Sequence, residues 1–191
     1  MDDYFKDWLT VIDGMNNENT YKLAWGRAII ELCHSFDVVE GVPTVFTFEQ
    51  IGEYVLKYFW NQTYFFNLNQ GPMKSIPKIQ RLTEEVINYY KLINRDDESK
   101  RFENIKPILV QNQVKYNKLI KEISSTLKQD VCWRFLLVDG EEIQLYLLNK
   151  SKKKIVLTSR QHRRIRKYYR VLNKLICFQW IKLLIKFNPH F

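Results

Sequence analysis

Apolar positions recur at steps of three and four over most of the first 130 residues, the spacing of helices with one buried face. Phe5, Trp8, Leu9 and Ile12 share one side of a segment from Asp3 to Asp13, which Gly14 and Asn16-Asn17 end. Tyr21, Trp25, Ala28, Ile29, Leu32, Cys33 and Phe36 predict a second helix, capped by Asn19 or Thr20. Gly41 and Pro43 mark a loop. Thr47 and Gln50 then have capping-box spacing, with Phe48, Ile51, Val55 and Phe59 as the apolar face behind them. This beginning is compatible with a helix-turn-helix. The aromatic run Tyr58, Phe59, Trp60, Tyr64, Phe65, Phe66 reads as core. Asn69-Gln70-Gly71-Pro72 is a turn, and Ser75 with Pro77 predicts the start of a helix whose face is Ile79, Leu82, Val86, Tyr90 and Ile93. The polar stretch Asn94 to Lys100 predicts a hinge or lobe boundary. Tyr116, Leu119, Ile120, Ile123 and Leu127 predict a further helix, with Lys115, Lys118 and Lys121 outside.

The pattern changes after Asp130. Trp133 to Val138 reads as a strand, Asp139-Gly140 as a hairpin turn, Ile143 to Leu148 as a second strand and Lys154 to Thr158 as a third. A long helix follows, capped by Thr158 or Ser159. On a wheel of about 100° per residue, Arg163, Arg166, Lys167, Arg170 and Lys174 share one arc. Ile165, Tyr169, Leu172, Ile176 and Leu183 lie opposite. Val171 to Phe187 reads as a core helix, because Asn173, Lys174, Gln179, Lys182 and Lys186 interrupt it too often for a membrane span.

Charge sharpens this picture. The 191 residues carry 30 Lys+Arg and 21 Asp+Glu, a formal net charge of +9. Thirteen of the basic residues fall between Lys150 and Phe191, where there is no Asp or Glu. The other 149 residues hold 17 basic and 21 acidic groups. Ordinary surfaces mix both signs, so this asymmetry points to a polyanion, foremost nucleic acid. Apolar residues at 46% and aromatics at 15% exclude a disordered chain. Cys33, Cys132 and Cys177 are too few and too scattered for a disulfide framework or a structural zinc site, and an acidic Met1-Asp2-Asp3 start does not suit a signal peptide. The expectation is a cytoplasmic protein with no membrane partner.

Candidate chemistry is sparse. There is no Walker loop, GxGxxG, GxSxG or HExxH. Cys33 sits on an apolar helix face and reads as an inert core thiol; neighbouring His34 has no partner at catalytic spacing. His162, among the cations, reads as a further polar contact. A metal-dependent nuclease would have to draw on Asp130, Asp139, Glu141 or Glu142 with Lys150, but Asp139 serves the turn and the glutamates begin a strand.

Several stretches resemble a family of bacterial HNH endonucleases. They are Asn19 to Ile29, Phe46 to Gly52, Tyr58 to Gln62, Leu68 to Pro72 with Lys78-Ile79, Leu127 to Phe135, and Trp180 to Pro189. In that family the HNH module lies downstream of the region so matched, and no position here matches its catalytic residues. The resemblance implies a DNA-targeting or regulatory N-terminal region, cut from a longer nuclease or standing alone, with restriction or phage defence as its setting.

The sequence thus predicts an α+β protein, mostly α. A helical lobe spans 1–95; a helix, a small antiparallel sheet and a long basic C-terminal helix span 96–191, possible as one continuous domain. The expected partner is duplex DNA. Lys152, Lys153, Lys154, Arg160 and Arg164 would meet phosphates, and Arg163, Arg166, Lys167, Arg170 and Lys174 a groove or the backbone. No cofactor is expected, apart from a divalent metal if a nuclease site exists. The alternatives are a protein-binding module (an anti-defence inhibitor or complex subunit) and the nuclease just described.

Overall fold

A computed structural model describes residues 2–72, 74–94 and 98–190. In chain order its elements are α1 (Asp3–Gly14), α2 (Tyr21–Ser35), β1 (Thr44–Thr47), α3 (Phe48–Phe66), α4 (Lys78–Asn94), α5 (Phe102–Gln111) and α6 (Gln113–Asp130). A 3-10 turn (Arg134–Leu136), β2 (Leu137–Val138), β3 (Glu141–Glu142), β4 (Leu147–Asn149), β5 (Lys154–Leu157), α7 (Ser159–Lys167) and α8 (Tyr169–Phe187) follow. The fold is α+β and mostly α, with a three-stranded antiparallel sheet in the order β1-β5-β4 and the small β2–β3 hairpin.

The periodic segments form helices for the reasons their spacing suggests. α1 buries Phe5, Trp8 and Ile12, and α2 buries Trp25, Ile29, Leu32 and Cys33. Thr47 and Gln50 form a complete capping box on α3. Asp139 and Gly140 have φ of 51° and 90°, the left-handed pair that a two-residue hairpin turn requires. In the aromatic run, Tyr58, Phe59, Trp60 and Tyr64 are buried, but Phe65 and Phe66 are exposed.

Other elements differ from expectation. Thr44–Thr47 is a strand and not a loop; it pairs antiparallel with β5, Thr44 opposite Leu157 and Thr47 opposite Lys154. This strand occupies part of residues 36–47 between α2 and α3, so the tight turn of a helix-turn-helix is absent there. Half of the predicted Trp133–Val138 strand is the 3-10 turn, only Leu137–Val138 is strand, and of Ile143–Leu148 only the end enters β4. α4 begins at Lys78, after Pro77 and not around it. α5 was not predicted and holds Pro107 in its interior. Of the expected hinge at 94–100, Arg95 to Asp97 lie outside the described residues.

The expected long basic helix is two helices. Tyr168, at φ −97° and ψ 11°, leaves helical geometry between α7 and α8, and its ring stacks on Phe5 at 4.2 Å. The break lets each piece bury its own residues: His162 and Ile165 on α7, Leu172, Ile176 and Trp180 on α8.

One apolar core runs across residue 95. β1 pairs with β5, α3 packs on α6, and α2 packs on α8. Two buried polar knots pin it. Trp25 Nε1 donates to Tyr146 Oη at 2.8 Å, which donates to the Cys132 carbonyl at 2.9 Å. Gln70 is fully buried; its Oε1 accepts from Thr20 Oγ1 at 3.0 Å and Trp180 Nε1 at 3.1 Å, and its N–H donates to Gln80 Oε1 at 2.8 Å. Beside it Asn188 brackets Asn69, accepting its N–H at 2.8 Å and donating to its carbonyl at 3.0 Å. Three of the stretches named for the HNH resemblance, around Thr20, Gln70 and Trp180–Asn188, therefore meet in space and serve the fold.

Candidate nucleic-acid interface

The cationic residues divide into three groups by what their neighbours do to them. On α7, Arg163 pairs with Glu40, Arg166 Nη1 reaches Asp37 at 2.8 Å and the Phe36 carbonyl at 3.2 Å, and Arg164 Nη1 reaches Asp2 at 2.8 Å. The acidic N-terminus and the loop after α2 thus fold back onto the basic helix. Of the five cations of α7 (Arg160, Arg163, Arg164, Arg166, Lys167), Arg163, Arg164 and Arg166 each meet a carboxylate. The Asp37 and Glu40 pairs are open to solvent and worth about 0–1 kcal/mol each. The Asp2 carboxylate is mostly covered, so Arg164 is a fold contact first. Two of the five stripe residues that the sequence suggested, Arg163 and Arg166, thus meet carboxylates.

His162 is no surface contact. It is fully buried, with Nδ1 2.8 Å from Thr44 Oγ1 and Nε2 2.8 Å from the Cys33 carbonyl. A carbonyl only accepts, so Nε2 carries a proton; in the neutral ring Nδ1 then accepts from Thr44 Oγ1. The histidine ties α7 to both α2 and β1. His34 stacks on Tyr169 at 3.9 Å. Burial pushes the Cys33 thiol well above its usual range, in line with an inert core residue.

The second group is the turn between β4 and β5. Asn149 Oδ1 accepts from Lys152 N–H and Ser151 Oγ, both at 3.0 Å, which holds the turn shut. Lys153 takes φ of 48° there. Its carbonyl accepts from Phe48 N–H at 2.9 Å and its Nζ donates to Ser125 Oγ at 3.3 Å, so this lysine fastens the turn to α3 and α6. Lys152 stands exposed at the tip, and Lys154 is half-buried in the central strand. Lys150 lies 5.7 Å from the exposed Trp133 ring, which Arg134 also faces at 5.1 Å.

Ser125 also lines a shallow groove of 590 Å³ between the start of α4 and the outer face of α6. Lys78, Lys118 and Lys121 line it with Asn117 and Glu122. All three lysines are exposed, and none makes an ion pair among the described residues. Sequence reasoning had Lys118 and Lys121 on the outside of a helix but had no signal to join them to Lys78 or to the Lys152–Lys154 turn. The third group is Arg170 and Lys174 on α8, exposed and, among the described residues, free of ion pairs.

The carboxylates considered for a nuclease do not assemble. Asp130 and Asp139 line one cleft with Glu18, Lys22 and Arg134, whereas Glu141 and Glu142 are exposed on β3. No group of three or more His, Cys, Asp or Glu among the described residues is placed to hold a metal ion. No described helix is long and apolar enough to cross a membrane.

No family model matches the chain, and neither a curated protein nor a solved structure matches it.

Proposed function

We propose that this protein binds duplex DNA through its phosphates, using the lysine groove of α4 and α6 together with the β4–β5 turn. The observation that carries this reading is the bridge at Ser125. It lines the groove and accepts from Lys153, so the β4–β5 turn, with Lys152 and Lys154 on either side of Lys153, comes up to the groove of Lys78, Lys118 and Lys121. Lysines without carboxylate partners are the groups from which phosphates displace only water and counterions. The α7 arginines are secondary in this scheme, because Arg163 and Arg166 must first leave Glu40 and Asp37. Resemblance to the N-terminal region of HNH endonucleases supports a targeting role beside a nuclease module, with restriction or phage defence as its setting.

The test is fluorescence anisotropy of a labelled duplex titrated with the protein between about 50 and 200 mM salt. With four to five phosphates neutralised, affinity falls about 150- to 500-fold across that range. No binding at the lowest salt, or binding indifferent to salt, overturns the reading.

A further inference from the structure

α8 is apolar on two faces, and the fold covers one of them. Its inner side buries Leu172, Ile176, Trp180 and Phe187. Its outer side presents Val171, Phe178, Ile181 and Ile185 at 47, 58, 54 and 65% exposure. Four large apolar side chains exposed in one stripe call for a cover. Val171, Phe178 and Ile185 are spaced by seven, and Lys174 and Ile181 fall between them. On a helical wheel these five residues fill an arc of about 80°. That is the narrow seam of a helix that pairs with another helix, not the half-cylinder of one that lies on a bilayer.

The charges beside the seam choose the partner. Arg170 borders it on one side, Lys182 and Lys186 on the other, and Lys174 lies within it. Lys182 Nζ is 5.6 Å from the Phe178 ring, at the edge of the apolar surface. Among residues 150–191 there is no Asp or Glu, and Asp13, a carboxylate that the fold brings to this helix, accepts from Gln179 at 2.8 Å beyond the Lys182–Lys186 border. Pairing of α8 with a second copy of itself, parallel or antiparallel, would set cations against cations. We propose that the outer stripe of α8 docks an acidic amphipathic helix from a partner protein, with leucine-like residues in the seam and glutamates at its borders. This surface is separate from the lysine groove in residues and in chemistry, since apolar contact and not phosphate drives it.

The probes are two labelled three-heptad peptides with Leu at the a and d positions, one with Glu and one with Lys at e and g. Anisotropy is read against the full chain at about 150 mM salt. The expected result is that the Glu peptide binds at least about tenfold more tightly than the Lys peptide. Phe178→Glu and Ile185→Glu, both at exposed positions, each weaken it at least about tenfold. Far-UV circular dichroism and duplex binding stay as in the unchanged protein, which separates this proposal from the DNA reading. Equal binding of the two peptides, or Glu-peptide binding that survives both substitutions, overturns it. So does a dimer in sedimentation equilibrium that Phe178→Glu dissociates, which would make a second copy the occupant. Co-sedimentation with phosphatidylserine–phosphatidylcholine vesicles that Phe178→Glu abolishes, without peptide binding, would overturn it in favour of a lipid surface.

Discussion

Trp180→Ala lowers the unfolding free energy by about 3–5 kcal/mol, the cost of emptying a large aromatic site in a packed core. Trp180 is only 2% exposed, packs edge-on to Tyr58 at 5.8 Å and tilted to Phe59 at 6.3 Å, and reaches Gln70 through its indole N–H. Truncation leaves a cavity between α8 and α3 and takes one of two donors from the buried Gln70 oxygen. Trp180→Phe keeps most of the packing and loses the hydrogen bond, so it costs less, about 1–2 kcal/mol. Urea unfolding followed by circular dichroism separates the two. A loss below about 1 kcal/mol for Trp180→Ala would mean that this knot does not hold the C-terminal helix to the core.

Replacing Lys118, Lys121 and Lys152 together by Ala has the largest effect on binding. Each phosphate contact removed lowers the salt slope by about 1, so the triple variant loses about 3 from it. At low salt its affinity for duplex falls by more than about 100-fold. The three side chains are exposed, so the variant keeps its stability. Arg163 and Arg166, changed together, do less: their carboxylate partners already offset their charge. If the arginine pair matters more than the lysine triple in the same anisotropy assay, the interface lies on α7 and the groove is a solvated surface.

Where local chemistry decides the outcome, the sequence was readable. Thr47 with Gln50, and Asp139-Gly140, each act within four residues, and both the cap and the turn formed as expected. β1 was not readable, because Thr44–Thr47 becomes a strand only by pairing with β5, more than a hundred residues away. α5 was not read: its Pro107 removes one helical N–H, a cost that burial of Phe102, Ile105 and Leu109 offsets only in the folded chain. The basic stripe was legible as composition but not as a surface. A wheel drawn through residues 159–187 assumes one helix, and Tyr168 divides it. Nor does a wheel show that Asp2, Asp37 and Glu40, remote in sequence, come to rest on it. His162 looked like one more polar group among cations, and only the fold reveals its two buried partners. Val171 to Phe187 was read as a core helix, whereas the structure covers one apolar face of α8 and leaves Val171, Phe178, Ile181 and Ile185 exposed.

The most direct measurement of the interface is lysine reactivity. The protein is treated with an amine-acetylating reagent, with and without saturating duplex at about 50 mM salt, and each lysine is followed by mass spectrometry. Binding at the groove and turn predicts that Lys78, Lys118, Lys121, Lys152 and Lys154 are protected by the duplex, while Lys182 and Lys186 of α8 react as before. Protection confined to Lys182 and Lys186, or no protection of the groove lysines under saturation, would contradict the account.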